Sequence, residues 1–179
     1  TDQRVIDAAA RNNVIGHTLY AHPLGDPKFR DIIVKSIKED YNCKINLENI
    51  IVTIGAGHAL YLALQGIVNE GDEILVIAPY YPAYIDQISS VDGNIVLVKT
   101  SEENGFIPTI EEKVTHKTKA IIINSPNNPT GAIYPKSLLE GIYKLSIENN
   151  FMVLSDEVYT AFTYDDNKFV SMLEIDKDL

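Results

Sequence analysis

Short apolar runs at residues 73–77 (EILVI), 94–99 (NIVLVK), 120–123 (AIII) and 152–154 (MVL) alternate along the chain with helical patterns. A strand that is apolar throughout, rather than at every second residue, has no face to give to water and needs cover on both sides. The segments between the runs supply that cover. Asp26 and Pro27 have the residue types of an N-cap and a first helical position, and Ile33, Ile37 and Tyr41 follow at four-residue spacing on one face. Helices are also predicted over 59–67, stopping near Gly71, over 83–91, ending before Gly93, and from Pro135 to about Asn149. The β-branched run 50–54 (IIVTI), closed by Gly55, predicts a fifth strand. Thr109 and Glu112 have capping-box spacing and predict a short helix after Pro108. The expected fold class is α/β, a three-layer sandwich with a mostly parallel sheet between helices.

With 179 residues and no repeat, low-complexity tract or Pro/Gly/Ser linker, the whole of 1–179 is expected to form one domain. Fifteen basic against twenty-five acidic residues give a net charge of -10, which argues against a nucleic-acid or anionic-membrane partner. Cys43 is the single cysteine, so an intrachain disulfide and a thiolate metal cluster are both excluded, and a buried, inert thiol in a reducing compartment is expected. His17, His22 and His116 lack metal-ligand spacing and read as surface or packing residues. No apolar run approaches the roughly 20 residues that span a bilayer. The N-terminal TDQRVIDAAARNN lacks the pattern of a signal peptide, so a cytoplasmic protein is expected by elimination. The chain opens without methionine and stops on EIDKDL, and it reads as a segment of something longer.

In a parallel sheet ligands bind beyond the carboxyl ends of the strands, so the loops that follow the apolar runs carry the functional information. Gly55-Ala56-Gly57-His58 precedes a helix, where free backbone amides and the helix dipole favour a phosphate, although glycine turns of this kind join strands to helices in many α/β proteins. Tyr80, Tyr81 and Tyr84 lie in or beside a turn fenced by Pro79 and Pro82, suited either to stacking on a flat ligand or to plain packing. The loop 125–131 reads SPNNPTG, in which prolines fix the backbone while Asn127 and Asn128 present amides. Asp156, in SDEVY, places a carboxylate at the sheet edge. It requires a cation or a donor if buried, and otherwise reads as a helix cap or a surface ion pair.

Taken together, SPNNPTG followed by SDEVY resembles the class I/II aminotransferases of the fold type I pyridoxal-phosphate superfamily, over about residues 20–164. The resemblance implies the large cofactor-binding domain of that fold, in truncated form, with pyridoxal 5'-phosphate as cofactor. It implies that Asn128, aided by Tyr159, bonds the phenolic oxygen of the ring, that Asp156 pairs with the pyridinium nitrogen, and that Tyr81 stacks on the ring face. Ala56 and Gly57 would offer amides to the phosphate with His58 assisting, whereas many relatives place a Ser or Thr hydroxyl in this turn. Tyr20, in YAHPLG, matches a tyrosine that reaches the phosphate in the partner subunit's site, which implies a homodimer.

The lysine that forms a Schiff base with the cofactor is expected beyond Leu179, since Lys168 and Lys177 lie too early and in the wrong context. A phosphate-binding arginine and a C-terminal small domain are expected there too. The resemblance therefore implies a parent enzyme that moves an amino group between an amino acid and a 2-oxo acid, and a 179-residue chain that is inactive alone. Carbon-sulfur lyases, racemases and cyclopropane-forming synthases of the same superfamily share these ring-holding groups. A non-catalytic binding or regulatory module with the same fold is the alternative from another class.

Overall fold

The computed structural model describes residues 1–176, so Lys177 and Leu179 lie outside the described residues. Its centre is a four-stranded parallel sheet of β1 (Glu73–Ala78), β2 (Asn94–Lys99), β3 (Thr118–Asn124) and β4 (Met152–Asp156), in the order β2-β1-β3-β4. Five helices accompany it: α1 (Gln3–Val14), α2 (Pro27–Tyr41), α3 (Gly55–Ile67), α4 (Ala83–Ser89) and α5 (Lys136–Asn149).

The unbroken apolar runs are explained by the cover on each face. Ile74 and Val76 of β1 and Ile122 of β3 pack with Leu64 of α3 and with Tyr84 and Ile88 of α4. Their sequence neighbours Leu75, Ile77, Ile121 and Ile123 point the other way, onto Leu139 and Ile142 of α5 and onto Ile110 and Tyr134. Adjacent residues of a strand face opposite sides. The even-numbered residues of β1 and β3 thus look toward α3 and α4, and the odd-numbered ones toward α5. Leu154 and Val153 of β4 continue the same division. Fully burying an Ile, Leu or Val stabilises by about 1.5–3 kcal/mol, and seven such residues at 4% exposure or less come from β1 and β3 alone.

The run 50–54 departs from expectation, because it is not a strand of the sheet. It is an extended connection. Ile50 faces Val34, Cys43 and Ile45 in a small core beside α2, while Ile51 and Ile54 point outward at 58% and 91% exposure. The Val52 N–H is satisfied by Leu24 O at 3.0 Å, which ties this connection to the 20–25 loop. Gly25 makes that approach possible: its φ is +101°, and a Cβ there would lie 2.6 Å from the Val52 side chain. Arg30, 5% exposed on α2, braces the same region by donating from Nε to Ile50 O at 2.9 Å and from its guanidinium to Leu47 O.

The capping box expected at Thr109 is also absent. A single 3-10 turn forms at Glu111–Lys113 instead, with Ile110 in the N-cap position and no side-chain cap. Ile110 is drawn into the core at 3% exposure, and that anchor sets where the turn begins. The helix predicted from Ala59 starts earlier, at Gly55, so the glycine turn is the first turn of α3 itself. The sequence reading assigned no helix to α1, which is capped by the Asp2 side chain and contains no buried residue. Cys43 is buried and free, as expected. Among the described residues, no helix is long and apolar enough to cross a membrane.

Candidate functional site

The order β2-β1-β3-β4 puts β1 and β3 side by side while their outgoing connections diverge. β1 leads through α4 to β2 on one flank, and β3 leads through α5 to β4 on the other. Divergence of this kind opens a crevice at the carboxyl edge of a parallel sheet. A cavity of about 220 Å³ lies there, walled by the ends of β3 and β4, the first turns of α3 and the approach to α4.

Asp156 closes β4, on the even-numbered side that faces α3 and α4. Tyr84 donates its hydroxyl to Asp156 Oδ2 at 2.6 Å, and the Val158 N–H donates to Oδ1 at 3.3 Å. The phenol is 3% exposed. Burial, reinforced by the bond to Asp156, pushes its pKa well above the ordinary phenol range. Tyr84 therefore remains a donor, and it holds the carboxylate at the cavity wall. Tyr81, 44% exposed, meets the Tyr84 ring edge-on, with centroids 5.7 Å apart and planes at 80°, and presents itself to the cavity. Tyr80 instead packs against the core beneath α3 and α4.

The loop after β3 separates its two asparagines by role. Asn127, 8% exposed, turns inward, where its Oδ1 accepts from Thr130 N at 3.1 Å and from Thr130 Oγ1 at 2.8 Å. Its backbone closes the turn with Ala132 and Gly131. Asn128 faces the cavity, and its Nδ2 lies 3.4 Å from the Tyr159 hydroxyl. Asn124, the last residue of β3, joins the two loops. Its Nδ2 donates to Asp156 O at 3.0 Å, while its Oδ1 accepts the Asn128 N–H at 2.7 Å. Asn124 is 4% exposed, so both bonds are sheltered from competing water.

Ala56 and Gly57 form the third wall. α3 has Ile54 at its N-cap and no side-chain cap there, which leaves the first-turn amides of Ala56 and Gly57 without intrahelical acceptors. His58 does not line the cavity; its Nδ1 accepts the Ile54 N–H at 3.3 Å and so steadies the start of the helix. Tyr20 is fully exposed and does not join the cavity of its own chain.

The structure thus brings together six of the eight residues singled out from the sequence: Ala56, Gly57, Tyr81, Asn128, Asp156 and Tyr159. Tyr84, Gln87 and Asn124 complete the walls, and sequence reasoning gave none of them its role. Tyr84 was visible only as one phenol of a turn, and Asn124 only as a residue at a strand end. No lysine lines the cavity among the described residues.

This α/β architecture, a four-stranded parallel sheet between two helical layers, matches part of the fold type I aminotransferases, of which it covers about 46% of the chain. The chain belongs to the family "Aminotransferase class I and II", whose model matches residues 1–179. It is 37% identical to the aspartate/prephenate aminotransferase of Thermus thermophilus over 94% of this chain and 45% of that protein. It is 38% identical to the aspartate aminotransferase of Bacillus subtilis over 98% of this chain and 45% of that protein. Among solved structures, the aspartate aminotransferase of Thermus thermophilus with maleate superposes with a TM-score of 0.93 at 37% identity, covering 98% of this chain and 46% of that one. The alanine aminotransferase of Pyrococcus furiosus gives 0.94 at 34% identity, covering 99% and 46%. The chain therefore spans about half the length of the relatives it matches.

Proposed function

We propose that this chain is the ring-holding part of the large domain of a pyridoxal-phosphate-dependent aminotransferase that moves an amino group between an amino acid and a 2-oxo acid. The observation that carries the proposal is the convergence of Asp156, Asn128, Tyr159 and Tyr81 on one cavity whose far wall is the uncapped start of α3. The donor set suits the cofactor: a carboxylate for a ring nitrogen, an amide and a phenol for a ring oxygen, an aromatic face for the ring, and free backbone amides for a phosphate.

When bound, pyridoxal 5'-phosphate supplies an electron sink for the charge left on substrate carbon when a proton departs. Asp156 is held by Tyr84 and by the Val158 amide, which fix its carboxyl group where it would meet the ring nitrogen. Asn128 and Tyr159 already lie within contact of one another and offer hydrogen-bonding groups to the ring oxygen. Tyr81 borders the cavity and offers its ring to stack on the cofactor ring. Tyr20, exposed on its own protomer, serves the partner's cavity in a homodimer. His58 acts on the phosphate only indirectly, by accepting the Ile54 N–H at the helix start.

The cavity is lined by no lysine among the described residues, and the lysine and substrate-binding arginine of the complete enzyme are assigned to the remainder of the protein. Residues 1–179 alone are then not catalytic. The test uses the full-length protein, supplied with amino donors and 2-oxo acids, with transfer followed alongside release of ammonia. Transfer that depends on an acceptor acid supports the proposal, whereas ammonia and a 2-oxo acid formed without an acceptor would assign the protein to the lyases. For residues 1–179 expressed alone, a cofactor adduct trapped by borohydride would overturn the claim of inactivity.

A further inference from the structure

Gln87 lies one turn beyond Tyr84 on α4, and the two side chains reach opposite walls of the cavity. Tyr84 holds the carboxylate of Asp156, and Gln87 donates from Nε2 to the backbone oxygen of Gly57 at 2.9 Å, across 30 residues of sequence. The orientation of the amide is determined by this contact, because the opposite assignment would set two carbonyl oxygens against each other.

The other end of the same amide is unusual. Gln87 Oε1 is buried and has no hydrogen-bond partner among the described residues. A buried acceptor without a donor is disfavoured, and an apolar side chain of similar size would avoid the penalty. The amide nevertheless stands there, bonded to the carbonyl of Gly57, the third residue of α3. Position 57 itself contributes no side chain, although space does not demand glycine: a Cβ would lie 3.5 Å from Gln87 Nε2, an ordinary contact. The start of α3 is tied by Thr53 Oγ1, which donates to Gly55 O at 3.0 Å, and by His58 Nδ1, which accepts the Ile54 N–H, but neither of these two residues lines the cavity, and the side-chain tether at residue 57 comes from α4.

We propose that Gln87 is a positioning residue for phosphate binding, fixing the Gly57 peptide so that the first-turn amides of α3 face the cavity. This rests on the functional reading above and adds to it the residue that takes over the restraint a hydroxyl side chain in the turn would otherwise supply. Gln87 acts through the backbone and makes no contact of its own with the phosphate.

The test compares binding of pyridoxal 5'-phosphate and of pyridoxal, which lacks the phosphate, to the full-length protein and to its Gln87→Met variant. Gln87→Asn, polar but too short to reach Gly57 O, serves as a second variant should the first fail to fold. The wild type is expected to prefer the phosphorylated form. In the variants that preference falls about tenfold, equivalent to about 1.4 kcal/mol, while the affinity for pyridoxal and the melting temperature hold. A purely structural role would lower the melting temperature and weaken both ligands alike, and that result, or an unchanged preference, overturns the proposal. A wild type with no preference for the phosphorylated form would instead overturn the functional reading itself.

Discussion

Replacing Tyr84 by Phe removes one hydroxyl, leaves the ring and its edge-on contact with Tyr81, and makes two separable predictions. The lost bond is charge-assisted and 2.6 Å long, and the ring is 3% exposed. Hydrogen bonds to charged groups contribute about 1.5–3 kcal/mol. Because Asp156 is only half-buried and water can partly replace the phenol, the lower end applies, so the variant should be about 1.5 kcal/mol less stable at neutral pH. The second prediction concerns alkaline pH. In the unfolded chain a phenol loses its proton near pH 10, whereas folded Tyr84 keeps it, chiefly through burial and then through Asp156. Above that pH the unfolded state binds fewer protons than the native state, so this contribution to stability is complete below about pH 10 and falls by about 1.4 kcal/mol per pH unit above it. Tyr134, pushed up to about 12 by burial, adds a second fall of the same kind up to that pH. The variant lacks the Tyr84 contribution and retains those of Tyr134 and of Tyr41, which burial also raises, so its curve descends less steeply and meets the wild-type curve near about pH 11. The chain has no tryptophan, so urea unfolding at pH 7, 10 and 11 is followed by far-UV circular dichroism. Parallel pH profiles, or equal stabilities at pH 7, would refute the assignment of Tyr84 as a buried neutral donor.

Other substitutions probe the remaining parts. In the full-length protein, Asp156→Ala should abolish transfer far more completely than Tyr159→Phe, since the first removes the partner of the ring nitrogen and the second one of two groups at the ring oxygen; equal, mild losses in initial rate would count against the assignment. Arg30→Met leaves the Ile50 carbonyl without its donor and takes one of two donors from Leu47 O, which keeps the Ile50 N–H, and should destabilise the chain by about 1–3 kcal/mol in urea unfolding. Gly25→Ala combines a left-handed backbone with a Cβ 2.6 Å from Val52, and should cost about 2 kcal/mol or more, read as a lowered unfolding midpoint.

Much of this architecture was legible because its signals are local. The four strands of the sheet coincide within two residues with the apolar runs, and Asp26 caps α2 through a bond to Phe29 N at 3.0 Å. Local signals also misled. Residues 50–54 have strand composition, yet their partners are Leu24 O and the core beside α2, neither of which the run itself specifies. Thr109 and Glu112 have the spacing of a capping box, and burial of Ile110 prevailed over it. At the site, Asp156 and Asn128 could be found because their loops are distinctive. Tyr84, Asn124 and Gln87 act through partners 72, 32 and 30 residues away, and pairing at that range leaves no mark on neighbouring sequence.

The division of the strands between the two faces has a consequence for how such a site can change. Asn124 and Asp156 share the parity of Ile122 and Leu154, so both end on the α3 and α4 side, where the cavity lies. Ser155, of the other parity, bonds Glu157, whose carboxylate also accepts from Ser171. Losing or gaining one residue inside β4 would turn the Asp156 carboxylate toward that opposite side, with Ser155 taking its place at the cavity after a gain and Glu157 after a loss, and the strand still paired. A neighbour such as the Thermus structure differs from this chain at most positions and still superposes with a TM-score of 0.93. Divergence of this kind is open to substitution but closed to single-residue changes of length between the core of a strand and its final residue. Counting residues from Ile122 to Asn124 and from Leu154 to Asp156 is therefore a sharper criterion for a shared site than matching the side chains between them.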